Sequence, residues 1–394
     1  MPHVSQRDVA VVLSGGAVNG VLMELGFLQR LRESALWPRV SVVVGTSSGA
    51  LSGAIAVLDR LDELEEFMLA LQPEQTFRPN RLWRLPFLGL HEYALPRTIE
   101  SWFGELDAIA RELAAAPAEL VVLATDLTDD HERPGSGYEL AYSSRTTPPE
   151  ILARAVLASA AVPALVLPLE VGDRIATDGS WVRNFPLGHV YDRTDVELIV
   201  AFRYLPQYPR MGTSGLQPFK RRLNRFGRIP PIRALIAELE AAEERAARGQ
   251  PAHLADMIVR LARVAVVRNT ELEERSAEEK DASLRELHAL RSDVLALAGD
   301  DLQLRGAIDR RFAAAAFPFR GDRIVPRITV RGNVEGAGLD PGFRSSPRWS
   351  ERDKRRLIRR GYELADRELS AVDESGRSDL NRRLPPPKGG ALPG

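Results

Sequence analysis

The sequence predicts an α/β fold in which a mostly parallel central sheet is covered by helices on both faces. Three observations lead there. The first two hundred residues alternate short β-branched runs with helical patterns, the order of β-α-β units. The runs, such as Val40-Ser41-Val42-Val43-Val44, lack polar alternation, which suits strands buried on both faces. Glycine turns separate strand from helix twice, at Gly15-Gly16 and between Gly45 and Gly49.

Residues 9–13 read as the first strand, and the pattern after the glycine turn predicts a helix over 21–33. Residues 40–44 form a second strand, followed by a helix of small residues over 48–58. A third strand is expected at 120–123, a helix at 150–157, and further strands at 171–176 and 197–202. From about residue 232 the composition shifts to Ala, Leu, Glu and Arg at helical spacing, which predicts amphipathic helices over 233–248 and 252–297. A strand-like run at 323–330 and a helix over 351–370 complete the ordered part. No fixed-period repeat and no good linker interrupts residues 1–370, so one domain is expected there. Residues 371–394 are poor in apolar groups and read as a disordered tail.

Composition narrows the chemistry. A chain of 394 residues, 44% hydrophobic and 27% charged, can bury a sizeable core. Its net charge of −1 gives no general attraction to nucleic acid or anionic lipid, so no nucleic-acid partner is expected. With no cysteine, disulfides, thiolate metal sites and a thiol nucleophile are excluded. The start of the sequence has no apolar core resembling a signal peptide, and the apolar stretch at 155–169 is broken by Pro163 and too short to span a bilayer. A cytoplasmic, soluble protein is the expectation, with peripheral membrane contact left open.

Three motifs carry chemistry. Gly45-Thr46-Ser47-Ser48-Gly49 is a G-x-S-x-G sequence between strand and helix. A serine on so tight a turn is thrust outward, and the flanking glycines avoid collisions with neighbouring backbone. Leu13-Ser14-Gly15-Gly16-Ala17-Val18-Asn19-Gly20 would gather backbone N–H groups in one concavity, fit for a developing oxyanion or a phosphate. The dinucleotide register lacks its second glycine and no Gly-Lys-Ser/Thr follows, which argues against a nucleotide loop. Thr177-Asp178-Gly179-Ser180 ends an expected strand, where a parallel sheet places its sites, and offers a base for the serine.

In this order the three motifs resemble the patatin-like phospholipase family: a glycine-rich oxyanion loop, then G-x-S-x-G, then Asp-Gly-Gly or Asp-Gly-Ala. Ala124-Thr125-Asp126-Leu127, the stretch from Ala158 to Pro163, Asn184-Phe185-Pro186 and Ile358-Arg359-Arg360-Gly361-Tyr362 are similar too. The likeness covers most of residues 8–370 and is weakest at about 206–316, which it marks as a helical insertion. It implies a three-layer patatin-like fold and a serine acyl hydrolase that cleaves (phospho)lipid esters through an acyl-serine, with no metal or cofactor. It also implies Ser47 as nucleophile and Asp178 as its base. Backbone N–H groups of Gly15, Gly16, Ala17 and Ser48 would form the oxyanion hole, with Gly45, Gly49, Gly179 and Ser180 shaping the turns. Two positions depart from the pattern. Asn19 stands where the family usually has Arg or Lys, and Ser180 where it has Gly or Ala.

Other readings share these residues. An ordinary α/β-hydrolase would need a Ser–Asp–His triad, with His189, His253 or His288 as the imidazole. A lipid- or protein-binding module that has lost catalysis is the alternative from another class. The basic run around Lys220, Arg221, Arg222, Arg225 and Arg228 suits either anionic head groups or a solvated loop, and Arg352 to Arg360 the outer face of the last helix. Trp83, Phe87 and Trp102 suit either an apolar lid or core packing.

Overall fold

The computed structural model describes residues 7–80, 91–128, 138–163, 165–191, 193, 195–205, 217–226, 228–250, 254–314, 324–333, 339 and 349–375. Its strands are β1 (Val9–Leu13), β2 (Val40–Thr46), β3 (Phe77–Pro79), β4 (His91–Tyr93), β5 (Glu119–Asp126), β6 (Glu139–Ser143), β7 (Leu169–Val171), β8 (Arg174–Asp178), β9 (Leu198–Tyr204) and β10 (Arg327–Gly332). The longer helices are α1 (Ala17–Arg32), α2 (Ser48–Val57), α3 (Leu61–Ala70), α4 (Leu95–Phe103), α5 (Leu106–Ala115), α6 (Pro149–Ser159), α7 (Gln217–Asn224), α8 (Pro230–Ala247), α9 (Leu254–Leu297), α10 (Leu302–Ala313) and α11 (Glu351–Ser375).

Eight strands form the main sheet in the order β10-β9-β1-β2-β5-β8-β7, with β6 also paired to β5. The five strands from β10 to β5 run parallel, and β6, β7 and β8 add antiparallel pairs at one side. This is the α/β architecture the sequence predicts. Val9, Val11 and Leu13 of β1 enter one core with α1 and α2, while Ala10 and Val12 enter another with Phe185, Leu187 and Ala277. Burial on both faces explains why the strand is apolar at every position.

One strand differs from expectation. Residues 171–176 are not a single strand but the turn of a hairpin, with Val171 ending β7 and Arg174 opening β8. Gly172 takes φ +64°, a conformation that breaks the run. The strand that delivers Asp178 is therefore antiparallel to β5, not another parallel strand. Helix α1 also begins at Ala17, earlier than residue 21, because the Gly16 to Gly20 segment already winds as its first turn.

Helices α1 and α11 cross at backbone contact. A Cβ built on Gly26 would lie 1.9 Å from the carbonyl oxygen of Ile358, and one on Gly361 would lie 2.0 Å from that of Met23. On the opposite face, α9 docks against the segment after Asp178: the Asn269 amide donates to the carbonyls of Ser180 and Trp181 at 2.7 and 3.3 Å. The Asn184 amide donates to Thr270 Oγ1 at 2.9 Å. Among the described residues, no helix is long and apolar enough to cross a membrane. Helix α11 continues to Ser375, past the expected end at 370, and the rest of the expected tail lies outside the described residues.

Candidate active site

Ser47 occupies the single residue between β2 and α2, with φ 55° and ψ −118°. A non-glycine residue in that region costs about 1–3 kcal/mol, so its surroundings must hold it there. Two of them are glycines by necessity. A Cβ on Gly45 would fall 2.2 Å from the carbonyl oxygen of Gly49, and one on Gly49 would fall 2.5 Å from that of Leu13. The third is Ser159, whose hydroxyl accepts the Ser47 N–H at 2.8 Å and donates to the carbonyl of Leu123 at 2.6 Å.

The Ser47 hydroxyl donates to Asp178 Oδ2 at 2.8 Å, and both residues are buried. Asp178 is fixed from several sides. Its Oδ1 accepts the Ser180 N–H at 2.8 Å, its carbonyl accepts from Thr125 Oγ1 at 2.7 Å, and its N–H donates to Ala161 at 3.1 Å. Burial pushes its carboxyl above the usual carboxylate range, and hydrogen bonds from Ser180 and Ser47 draw it back only in part.

The glycine loop lies beside this pair. The N–H groups of Gly16, Ala17 and Ser48 donate to no described residue, and two of them open helices whose first-turn donors lack intrahelical acceptors. Gly15 departs from expectation: its N–H donates to the carbonyl of Asn184 at 3.0 Å, so it is committed to structure and is not a free oxyanion donor. Ser14 pins the loop to β9, its N–H donating to Phe202 at 3.1 Å and its hydroxyl accepting from Tyr204 N–H at 2.7 Å. Asn19 is a clamp. Its amide nitrogen donates to the Leu339 carbonyl at 3.0 Å, and its amide oxygen accepts the Leu339 N–H at 2.9 Å.

Against this geometry stands a family comparison. Residues 11–191 match the family model described as Patatin-like phospholipase. Over that stretch, a little under half of the chain, the sequence is similar to that family. Curated relatives include uncharacterized NTE family proteins of Mycobacterium tuberculosis and Mycobacterium bovis, each 24% identical over 240 residues. The match covers 58% of this chain and 34% of each relative, so it spans about a third of their length. Among solved structures, VipD from Legionella pneumophila is similar with a TM-score of 0.39 and 15% identity, over 93% of this chain and 67% of that one. The human GIVD cytosolic phospholipase A2 is similar with a TM-score of 0.29 and 11% identity, over 57% of this chain and 46% of that one.

An apolar cavity of about 1170 Å³, including its open mouth, adjoins Ser47. Leu51, Ile55, Phe67, Met68, Phe103 and Trp349 are among its walls. Trp102 is not one of them. It is half exposed and packs edge-on against the outer side of Phe67, at 5.7 Å between ring centres. Trp83 and Phe87 lie outside the described residues.

Among the described residues, no histidine is hydrogen-bonded to Ser47 or Asp178. The Ser47 hydroxyl meets a carboxylate directly, and His189 Nε2 lies 2.6 Å from Glu139 Oε1 instead. Arg183 bridges the same Glu139 to Glu273 of α9. His288 lies on α9, and His253 is outside the described residues. Lys220 of the basic run pairs with Glu243 at 2.8 Å, which partly cancels that charge. On α11, Leu357 and Ile358 are buried while Arg355 and Arg356 pair outside with Glu351 and Asp353. The described residues contain no group of three or more His, Asp or Glu side chains placed to hold a metal ion.

Proposed function

We propose that this chain is a lipid acyl hydrolase that cleaves carboxylic esters through a Ser47–Asp178 dyad and an acyl-serine intermediate. The observation that carries the reading is the direct contact of 2.8 Å between Ser47 Oγ and Asp178 Oδ2. It lies beside backbone N–H groups that donate to no described residue and at the wall of an apolar cavity.

On this reading Asp178 accepts the Ser47 proton as Oγ attacks the ester carbonyl carbon. The N–H groups of Gly16, Ala17 and Ser48 hold the resulting oxyanion, each well-placed donor contributing about 3–4 kcal/mol. Collapse expels the alcohol, which takes the proton back from Asp178, and leaves the acyl group on Ser47. Asp178 then accepts a proton from water, the water oxygen attacks the acyl carbon, and the fatty acid departs with the serine restored. A carboxyl raised by burial is a better base for this transfer than a solvated one. The acyl chain occupies the cavity walled by Leu51, Ile55 and Phe67, where burial of each CH₂ contributes about 0.8 kcal/mol.

Peripheral membrane approach belongs to the same reading. Exposed Phe226 and Ile229 lie next in sequence to Arg225 and Arg228, a mixture suited to a lipid surface. A panel of phospholipid, lysophospholipid and neutral glyceride esters, run on wild type, Ser47→Ala and Asp178→Asn, tests the activity. Turnover by wild type and none by Ser47→Ala supports it. Equal turnover by all three removes the Ser47–Asp178 dyad, and a wild type that neither turns over ester nor is labelled by a fluorophosphonate probe leaves a silent binding module instead.

A further inference from the structure

Glu24 has a carboxyl for which the hydrolysis above has no use. It stands on α1, fully buried, facing the first turn of α2. Its Oε2 lies 2.7 Å from Ser52 Oγ and its Oε1 lies 3.3 Å from Ser48 Oγ. Ser52 Oγ is also 3.0 Å from the Ser48 carbonyl, and Ser48 Oγ is 3.3 Å from the Ser14 carbonyl. One side chain on α1 thus holds both hydroxyls at the start of α2, that of the residue after the nucleophile among them.

The polar side chains that meet Glu24 are those of Ser48 and Ser52, neither of which titrates near neutral pH. No charged side chain is among the causes that act on it. Burial dominates, outweighs the hydrogen bonds from Ser52 and Ser48, and pushes the carboxyl up to about 8.

Counting protons shows why the neutral acid fits. Its O–H can donate to Ser52 Oγ, Ser52 can donate to the Ser48 carbonyl, and Ser48 Oγ can donate to the other carboxyl oxygen. Every proton then has an acceptor. In the ionised form both hydroxyls turn to the carboxylate, and the Ser48 carbonyl loses its second donor. A negative charge then stands 3.3 Å from the side chain of Ser48, the residue whose N–H serves the oxyanion on this reading, and a low-dielectric interior does little to screen it.

We propose that Glu24, as a neutral acid, is a positioning residue that sets the direction of the Ser48 N–H for oxyanion binding. This rests on the Ser47–Asp178 hydrolase reading. The test measures kcat and KM on a soluble p-nitrophenyl acyl ester between pH 6 and pH 9.5, together with fluorophosphonate labelling. The proteins compared are wild type, Glu24→Gln and Glu24→Leu.

Wild type loses kcat above about pH 8 as Glu24 ionises. Glu24→Gln, which keeps a donor and an acceptor, holds its neutral-pH kcat within about threefold and loses the alkaline fall. Glu24→Leu loses roughly 10–100-fold in kcat with little change in KM, as a misaimed donor does. An alkaline fall retained in Glu24→Gln overturns the proposal, and this arm stands even where the Leu variant does not fold. Active wild type with indifferent Glu24 variants removes the positioning role alone. Wild type that neither reacts with the probe nor turns over ester removes the hydrolase reading and this role with it.

Discussion

Ser47 and Asp178 meet because one strand, β5, lies between the strands that carry them. Thr46 pairs with Leu123 on one side of β5, and Asp178 pairs with the next residue, Ala124, on the other. The two chain ends therefore reach the same level of the sheet, and the side chains close the gap to 2.8 Å. Reversing β8 is what makes this possible, since it brings Asp178 down to the elbow from above.

The first prediction concerns the pair itself. Ser47→Ala lowers ester turnover on the order of 10⁴-fold or more, as removal of a nucleophile does. Asp178→Asn abolishes most turnover yet leaves the fold at least as stable at neutral pH, because burial disfavours the ionised carboxylate it removes. His189→Ala keeps most activity, since its ring faces Glu139. Steady-state kinetics beside urea denaturation checks all three, and near-complete loss on His189→Ala refutes the dyad.

Ser159 supports the second. Its hydroxyl is the acceptor for the Ser47 N–H and the donor to the Leu123 carbonyl, so Ser159→Ala leaves two buried backbone groups unpaired. A loss of about 1–3 kcal/mol in stability is expected. Ser47 would also be less firmly held in its strained conformation, so kcat falls. Denaturation midpoints and kcat measured on the same preparation test this, and an Ala variant equal to wild type in both contradicts it.

Most of the framework was legible in the sequence, because β1, β2, β5 and β9 are apolar runs and the elbow is a five-residue signature. The hairpin at Gly172 was missed because a short strand with a central glycine reads the same whether it continues or turns. Ser159 falls in the family-like stretch from Ala158 to Pro163, but its service to Ser47 needs 112 residues of chain to fold back. Nothing in the sequence sets Glu24 apart from the other glutamates of the helices, for burial is not encoded at one position. Gly15 looked like a free donor because the carbonyl that takes its N–H comes from Asn184.

The pH dependence of stability gives a third prediction, with its sign set by Glu24. Its carboxyl titrates near 4.5 unfolded and about 8 folded. Its stabilising contribution is therefore fully present below about pH 4.5, is lost as pH rises to about 8, and is flat beyond. The loss is on the order of 4–5 kcal/mol at most. Glu24→Gln removes this slope, so its stability relative to wild type rises between pH 5 and pH 8. Guanidinium titrations across that range measure it, and parallel curves for the two proteins count against a buried neutral acid.

The cavity sets a fourth. Met68 is buried and lines the apolar space next to Ser47, so Met68→Trp should fill volume that an acyl chain would use. Overpacking costs about 1–3 kcal/mol of stability whatever the substrate, so the ratio of activities is the informative quantity. Long chains lose several buried methylenes and short chains lose few, and each is worth about 0.8 kcal/mol. The kcat/KM ratio of a long-chain to a short-chain p-nitrophenyl ester is expected to drop about tenfold or more, with the short-chain value nearly unchanged. A uniform fall for both esters would place the acyl chain elsewhere, since filling an unused cavity cannot discriminate by chain length.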